Sequence, residues 1–152
     1  MKKIYYKIKK IFFQCDDKLL YLKAFFITGV MRFIIVNMPF KKYKNLLGRH
    51  NEQTEYNISN EEEKYAEKIG YIIERISRYT LWKSNCFVKA MTAQKLLYDK
   101  KIETTLYMGI CNDDAHNITA HAWVRCGNIF VVGGDGEGYK VAGTFRKSIK
   151  EV

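Results

Sequence analysis

From Thr104 to Phe145 the chain consists of short β-branched and aromatic runs separated by polar or glycine-bearing turns, and this limits its fold more than any other feature. Thr104–Ile110, Ile118–Cys126, Ile129–Val132 and Tyr139–Phe145 have strand composition, and Gly127-Asn128 suits a tight hairpin between the second and third. Just ahead of them, Ser84–Tyr98 reads as a helix with Ser84 or Asn85 as its cap, joined to the strands by the polar stretch Asp99–Glu103. An earlier helix opens at Ser59, with Glu61, Glu62 and Glu63 in its first turn. Tyr65, Ile69, Ile72, Ile73 and Ile76 then recur at helical spacing to about Tyr79. Helices followed by antiparallel strands predict an α+β fold.

With 152 residues, 47% of them apolar, the chain suits one globular domain, and it has no repeat, heptad run or low-complexity tract. Its four cysteines, Cys15, Cys86, Cys111 and Cys126, include no CxxC pair, which fits reduced thiols better than a disulfide scaffold or zinc ribbon. The net charge of +10 is unevenly placed. Residues 1–50 carry 12 basic and 2 acidic side chains, whereas residues 51–152 carry 14 of each. The division expected is a cationic, apolar helical region over 1–58 and a core over 59–152, forming one compact unit.

The N-terminus lacks the marks of export. Lys7, Lys9 and Lys10 interrupt the apolar run after Met1-Lys2-Lys3, no small-x-small site follows, and Phe12-Phe13-Gln14 before Cys15 does not suit a lipoprotein. Leu19–Met38 is long and apolar, broken by Lys23, Thr28, Arg32 and Asn37. Lys23 and Arg32 fall on opposite sides of a helix, which argues for a buried core helix over a span. The basic flanks Lys2–Lys10 and Lys41–Lys44 make a peripheral contact with anionic lipid the next expectation. Both point to a cytoplasmic protein, either free or held at the inner face of the membrane.

Chemistry enters at Cys86. As the first or second residue of its helix, its thiol faces unpaired backbone N–H groups that favour a thiolate and could receive an oxyanion. Alternation along Ile118–Cys126 puts His121, Trp123 and Arg125 on one face, with Ala120, Ala122, Val124 and Cys126 on the other. A helix presenting a cysteine and a sheet presenting a histidine is the layout of a thiol nucleophile and its base, with an Asp or Asn nearby to orient the imidazole. Taken alone, a cysteine in such a helix is more often a small core residue.

Trp82-x-x-x-Cys86 ahead of an Ala/Leu-rich helix, Thr105-Leu-Tyr-Met-Gly109, Ala120-His-Ala-Trp-Val-Arg-Cys-Gly127 and Gly138-Tyr-x-Val-x-x-x-Phe145 together resemble the transglutaminase-like leader peptidases of lasso-peptide biosynthesis, the microcin-processing family. The resemblance extends more softly over residues 20–50, at Arg32 and from Pro39-Phe40 to Leu47-Gly48. It implies a papain/transglutaminase-like core, with a Cys-bearing helix packed on an antiparallel sheet after N-terminal helices. It implies a cysteine peptidase that removes the leader from a ribosomally made precursor, working with a small leader-recognition protein and an ATP-dependent, asparagine-synthetase-like cyclase, and using no cofactor. Carried across, Cys86 is the nucleophile, His121 the base and Asp135 the orienting acid, with Glu137 as substitute or no carboxylate at all. Asp135 lies 14 residues past His121, further than is usual in the family, so a two-residue turn at Gly127-Asn128 needs a bulge at Gly133-Gly134 to bring it to the histidine's face.

Trp82, Asn85 and Trp123 are candidates for a substrate groove, although the tryptophans suit plain packing equally well. Cys111 and Cys126 are expected to be inert, His50 and His116 solvated, and metal binding is not expected, because His121 and Cys126 face opposite ways. Transglutaminase-type acyl transfer and a non-catalytic module that docks through the basic first third are the alternative functions. The neutral remainder argues against nucleic acid.

Overall fold

The computed structural model describes residues 17–112 and 117–149; Cys15, the basic run Lys2–Lys10 and His116 lie outside them. Among the described residues four helices pack on a five-stranded antiparallel sheet, so the fold is α+β. Helix α1 (Lys18–Asn37) leads through Pro39 into the short α2 (Phe40–Tyr43), a 3-10 turn (Lys44–Leu47) and a two-residue strand β1 (Arg49–His50). Helices α3 (Asn60–Ser77) and α4 (Cys86–Tyr98) precede strands β2 (Thr104–Asn112), β3 (Ile118–Cys126), β4 (Ile129–Val132) and β5 (Lys140–Lys147). The sheet order is β1-β5-β2-β3-β4.

Helix α3 starts at Ser59, as expected, and the structure completes the start as a capping box: Glu62 N donates to Ser59 Oγ, and Ser59 N donates to Glu62 Oε2 at 2.8 Å. Such caps contribute about 1 kcal/mol. Its stripe of Ile69, Ile72, Ile73 and Ile76 is buried. Helix α4 is buried on most sides, at Val88, Ala90, Met91, Thr92, Ala93, Gln94, Leu96 and Leu97, as a helix lying between the sheet and other helices must be.

Helix α1 departs from the expected core helix. Only Tyr21, Ala24, Thr28 and Met31 are buried, a single stripe facing α3 and α4, while its opposite side stays open. Lys23 ties it to the end of α4 through an ion pair with Asp99 at 2.9 Å. Burial pushes the Asp99 carboxyl up, but hydrogen bonds from Lys23 and Lys95 outweigh this and hold it below its ordinary value.

Strand β1 lies outside the four runs of strand composition between Thr104 and Phe145. Two residues are too few to show a period, yet Arg49 pairs with Arg146 and His50 with Phe145. Asn51, at φ 63°, then turns the chain into an irregular strap, residues 51–57. The strap crosses the sheet face opposite the helices. Thr54 N donates to Thr105 Oγ1 at 2.8 Å, and Tyr107 Oη donates to Gln53 Oε1 at 2.7 Å.

Arg125 holds this layer in place. Only 2% exposed, its guanidinium donates to Tyr107 Oη at 2.9 Å, Thr54 O at 2.8 Å and Gly127 O at 2.6 Å, and it lies 3.9 Å from the centre of the Tyr56 ring. Arg125→Leu would leave these acceptors unsatisfied and is expected to destabilise the protein by roughly 2–5 kcal/mol. Urea unfolding should show the loss as a lower midpoint, with Arg125→Lys restoring only part of it because one ammonium cannot span three acceptors. A midpoint unchanged by Arg125→Leu would contradict the role.

Candidate active site

The helix end that carries Cys86 is built by Asn85. Asn85 is the N-cap, in extended conformation, and its Oδ1 accepts from Val88 N at 3.0 Å, while Lys89 N donates to Asn85 O. The N–H groups of Cys86 and Phe87 keep no partner among the described residues. Cys86 is therefore the first helical residue, half-buried, beside two donors aimed out of the helix.

Helix α4 runs along the sheet. At its C-terminal end the Lys147 ammonium lies over the Tyr98 ring at 4.8 Å, beside the paired residues Thr104 and Lys147. A helix of 13 residues is about 20 Å long, so Cys86 lies toward the opposite end, where Gly109 pairs with His121. The two elements thus bring Cys86 and His121 to the same end of the sheet.

They come to opposite faces of it. Ala122, Val124 and Cys126 join the core with the helices, so alternation turns His121, Trp123 and Arg125 to the strap side. The imidazole there stacks on Trp123 (5.8 Å between centroids) and tilts against Tyr139 (4.9 Å), while Trp123 stacks on Tyr107 at 5.4 Å. Gly109 makes room for this column, since a Cβ on it would come within 2.8 Å of the Trp123 ring. No hydrogen bond joins Cys86 to His121.

The ring partner of His121 is a backbone oxygen. Nε2 lies 2.6 Å from Gly133 O. A carbonyl only accepts, so Nε2 carries the proton and Nδ1 is the acceptor of the neutral ring. Gly127-Asn128 forms the expected two-residue turn, and the bulge occurs two residues earlier than the glycine pair, at Val131: Arg125 pairs with Phe130 but Val124 with Val132. Gly133 then leaves the strand at φ 84°, where a side chain would be strained and its Cβ would meet Ala122 O. Asp135 is exposed, and its Oδ1 accepts from Glu137 N at 3.0 Å within its own loop. Neither Asp135 nor Glu137 touches the imidazole; the Gly133 carbonyl occupies that place.

The groove candidates have packing positions. Trp82 lies on Phe25 at 5.0 Å and against Gly29, pinning the loop before α4 to α1, and Trp123 is buried beneath the strap and the glycine-rich loop. His50 is exposed on β1 with its ring against Phe145 at 5.0 Å. No group of three metal-ligating side chains occurs among the described residues. Sequence reasoning missed the Gly133 carbonyl and the contact of Tyr139 with the imidazole; the Gly133-Gly134 doublet was the signal for the first, and the place of Tyr139 in the Gly138–Phe145 motif was the signal for the second.

The sequence profile of the transglutaminase-like superfamily matches residues 34–144, from the last turn of α1 to β5, and includes Cys86, His121 and Asp135. The chain belongs to the transglutaminase-like superfamily. No curated protein and no solved structure matches it. Enzymes of this superfamily typically depend on a cysteine, and the helix-on-sheet arrangement around Cys86 agrees with a transglutaminase-like core.

The cysteines of this superfamily member differ in reactivity on physical grounds. Burial pushes the Cys126 thiol up to about 11, with Glu62 adding to the effect, whereas Cys86 is half-buried at a helix start. Brief treatment of the native protein with iodoacetamide at pH 8 is expected to alkylate Cys86 and leave Cys126 unmodified, as read by peptide mass spectrometry. Cys126 should react once the protein is unfolded. Labelling of Cys126 ahead of Cys86 in the native state would contradict the assignment.

Proposed function

We propose that this protein is a cysteine peptidase that removes the leader from a ribosomally made lasso-peptide precursor. The observation that carries the proposal is Cys86 itself: the first residue of a capped helix, half-buried, beside two unclaimed N–H groups, in a chain of a superfamily that works through cysteine. The narrower assignment to leader removal rests on the resemblance of Trp82–Cys86, Ala120–Gly127 and Gly138–Phe145 to the lasso-peptide leader peptidases.

In this mechanism leader binding at the end of the sheet brings Cys86 within reach of His121, which accepts its proton at Nδ1, the nitrogen left free by the Nε2 hydrogen bond to Gly133 O. The thiolate adds to the scissile carbonyl of the leader, and the Cys86 and Phe87 N–H groups receive the oxyanion. Collapse of the adduct expels the amine, which takes the proton from the imidazolium, and leaves a thioester on Cys86. Water, deprotonated by His121, hydrolyses the thioester and restores the thiol. A small leader-recognition protein delivers the precursor, and an asparagine-synthetase-like cyclase uses the released core with ATP. The reaction takes place in the cytoplasm.

One observation favours a second function. Cys86 and His121 lie on opposite faces of the sheet without a hydrogen bond, so a peptide-binding module that performs no chemistry would need no change in this geometry. The two are separated by incubating the purified protein with a lasso-peptide precursor and a leader-recognition protein. Cys86→Ala is expected to reduce leader cleavage by at least about a thousandfold, and cleavage that survives it removes the peptidase assignment. If the wild-type protein binds the precursor without cutting it, the module is supported; a cross-linked product of unchanged leader length supports acyl transfer to an amine.

A second substitution addresses the orienting group. Asp135→Ala is expected to leave turnover within about threefold of wild type, because its carboxylate bonds only its own loop. A fall of about a hundredfold or more would return the orienting role to Asp135.

A further inference from the structure

The open side of α1 is the most unusual surface of the molecule. Leu19, Leu22, Phe26, Val30, Phe33 and Val36 recur every three or four residues, and all are between 43% and 79% exposed. They form one apolar stripe along about 25 Å of helix. Met38, Phe40 and Leu46 continue it beyond the helix end. A surface helix of a domain facing only water carries polar side chains on this side, and an apolar strip of this length marks a surface that meets something apolar.

The charge around the stripe indicates what that is. Residues 18–50 contain seven basic side chains and no acidic one. Lys41, Lys42 and Lys44 are exposed at the C-terminal end of the stripe, beside Met38 and Phe40, and make no ion pair among the described residues. Next to the stripe, and sharing Val30 and Leu46 with it, opens an apolar cavity of ≈ 330 Å³ that also takes in Met31, Ile34 and Met91. Apolar side chains edged with lysines, and an apolar recess between them, match the acyl chains and anionic headgroups of a lipid leaflet.

Two other occupants fit less well. A second copy of the chain would bring the same cations face to face, since a two-fold contact pairs like surfaces. A transmembrane path for α1, which its length and composition allow, would pull Tyr21, Ala24, Thr28 and Met31 off α3 and α4 and break the Lys23–Asp99 pair.

We infer that this protein docks on an anionic membrane surface with α1 lying in the interface plane, its apolar stripe among the acyl chains and Lys41, Lys42 and Lys44 on the headgroups. The other side of α1 keeps its packing, so the Cys86 helix stays anchored to a domain held at the bilayer. This docking is independent of the chemistry proposed for Cys86.

Flotation of the full chain with vesicles tests it. Vesicles of equal parts phosphatidylglycerol and phosphatidylcholine are expected to bind the protein at least tenfold better than pure phosphatidylcholine, and 0.5 M salt should weaken that binding severalfold. Phe26→Ser with Phe33→Ser should reduce binding at least tenfold while leaving the circular dichroism spectrum and thermal midpoint unchanged, both side chains being exposed. Should that pair fail to fold, Lys41→Glu with Lys42→Glu and Lys44→Glu gives the second measurement, with the same loss expected. Absence of binding to the anionic vesicles, equal binding to both kinds, or a stable dimer that Phe26→Ser with Phe33→Ser dissociates would overturn the inference.

Discussion

A buried positive charge, paired with no carboxylate among the described residues, organises one whole side of this protein. Arg125 sits under the strap and is neutralised by dipoles: a tyrosine hydroxyl, two main-chain carbonyls and an aromatic face. Each acceptor belongs to a different part of the chain, so one side chain joins the β3–β4 turn, β2 and residues 51–57. That connection gives the sheet a second covered face. Trp123 and His121 lie on it in the same row as Arg125, and the strap and the glycine-rich loop enclose them.

The period of two along β3 carries the consequence to the candidate site. Every second residue belongs to the helix core and the others to the strap layer, with no regular position at which one strand could serve both. Cys86 is held by the helix layer and His121 by the strap layer. The imidazole is fixed there by Trp123, Tyr139 and the Gly133 carbonyl, which also selects its tautomer. The thiol and the imidazole are therefore held in separate layers, with no hydrogen bond between them.

Helix α1 belongs to neither layer entirely. One stripe seals the outer side of α3 and α4, and the opposite one remains apolar and open, edged by lysines. Lys41, Lys42 and Lys44 thus border the part of the surface least suited to water, whereas residues 51–152 carry 14 basic and 14 acidic side chains.

Much of this was legible in the amino-acid sequence, and for local reasons. The Ser59 cap, a cap at Ser84 or Asn85 that puts Cys86 in the first turn, the Gly127-Asn128 hairpin and the sharing of one strand face by His121, Trp123 and Arg125 all depend on neighbours within a few positions. What periodicity cannot say is that a second layer covers the face of His121, Trp123 and Arg125, because the strap that does so comes from residues 51–57, far away in the sequence. Nor can it place a bulge or the end of a strand: the extra residue at Val131 moved the register toward Asp135, but the chain leaves the strand at Gly133, so the Gly133 carbonyl meets the imidazole. Strand β1 was too short to have a pattern, and the open stripe of α1 could not be told from a core-facing one, since sequence records that a side chain is apolar and only packing decides what covers it.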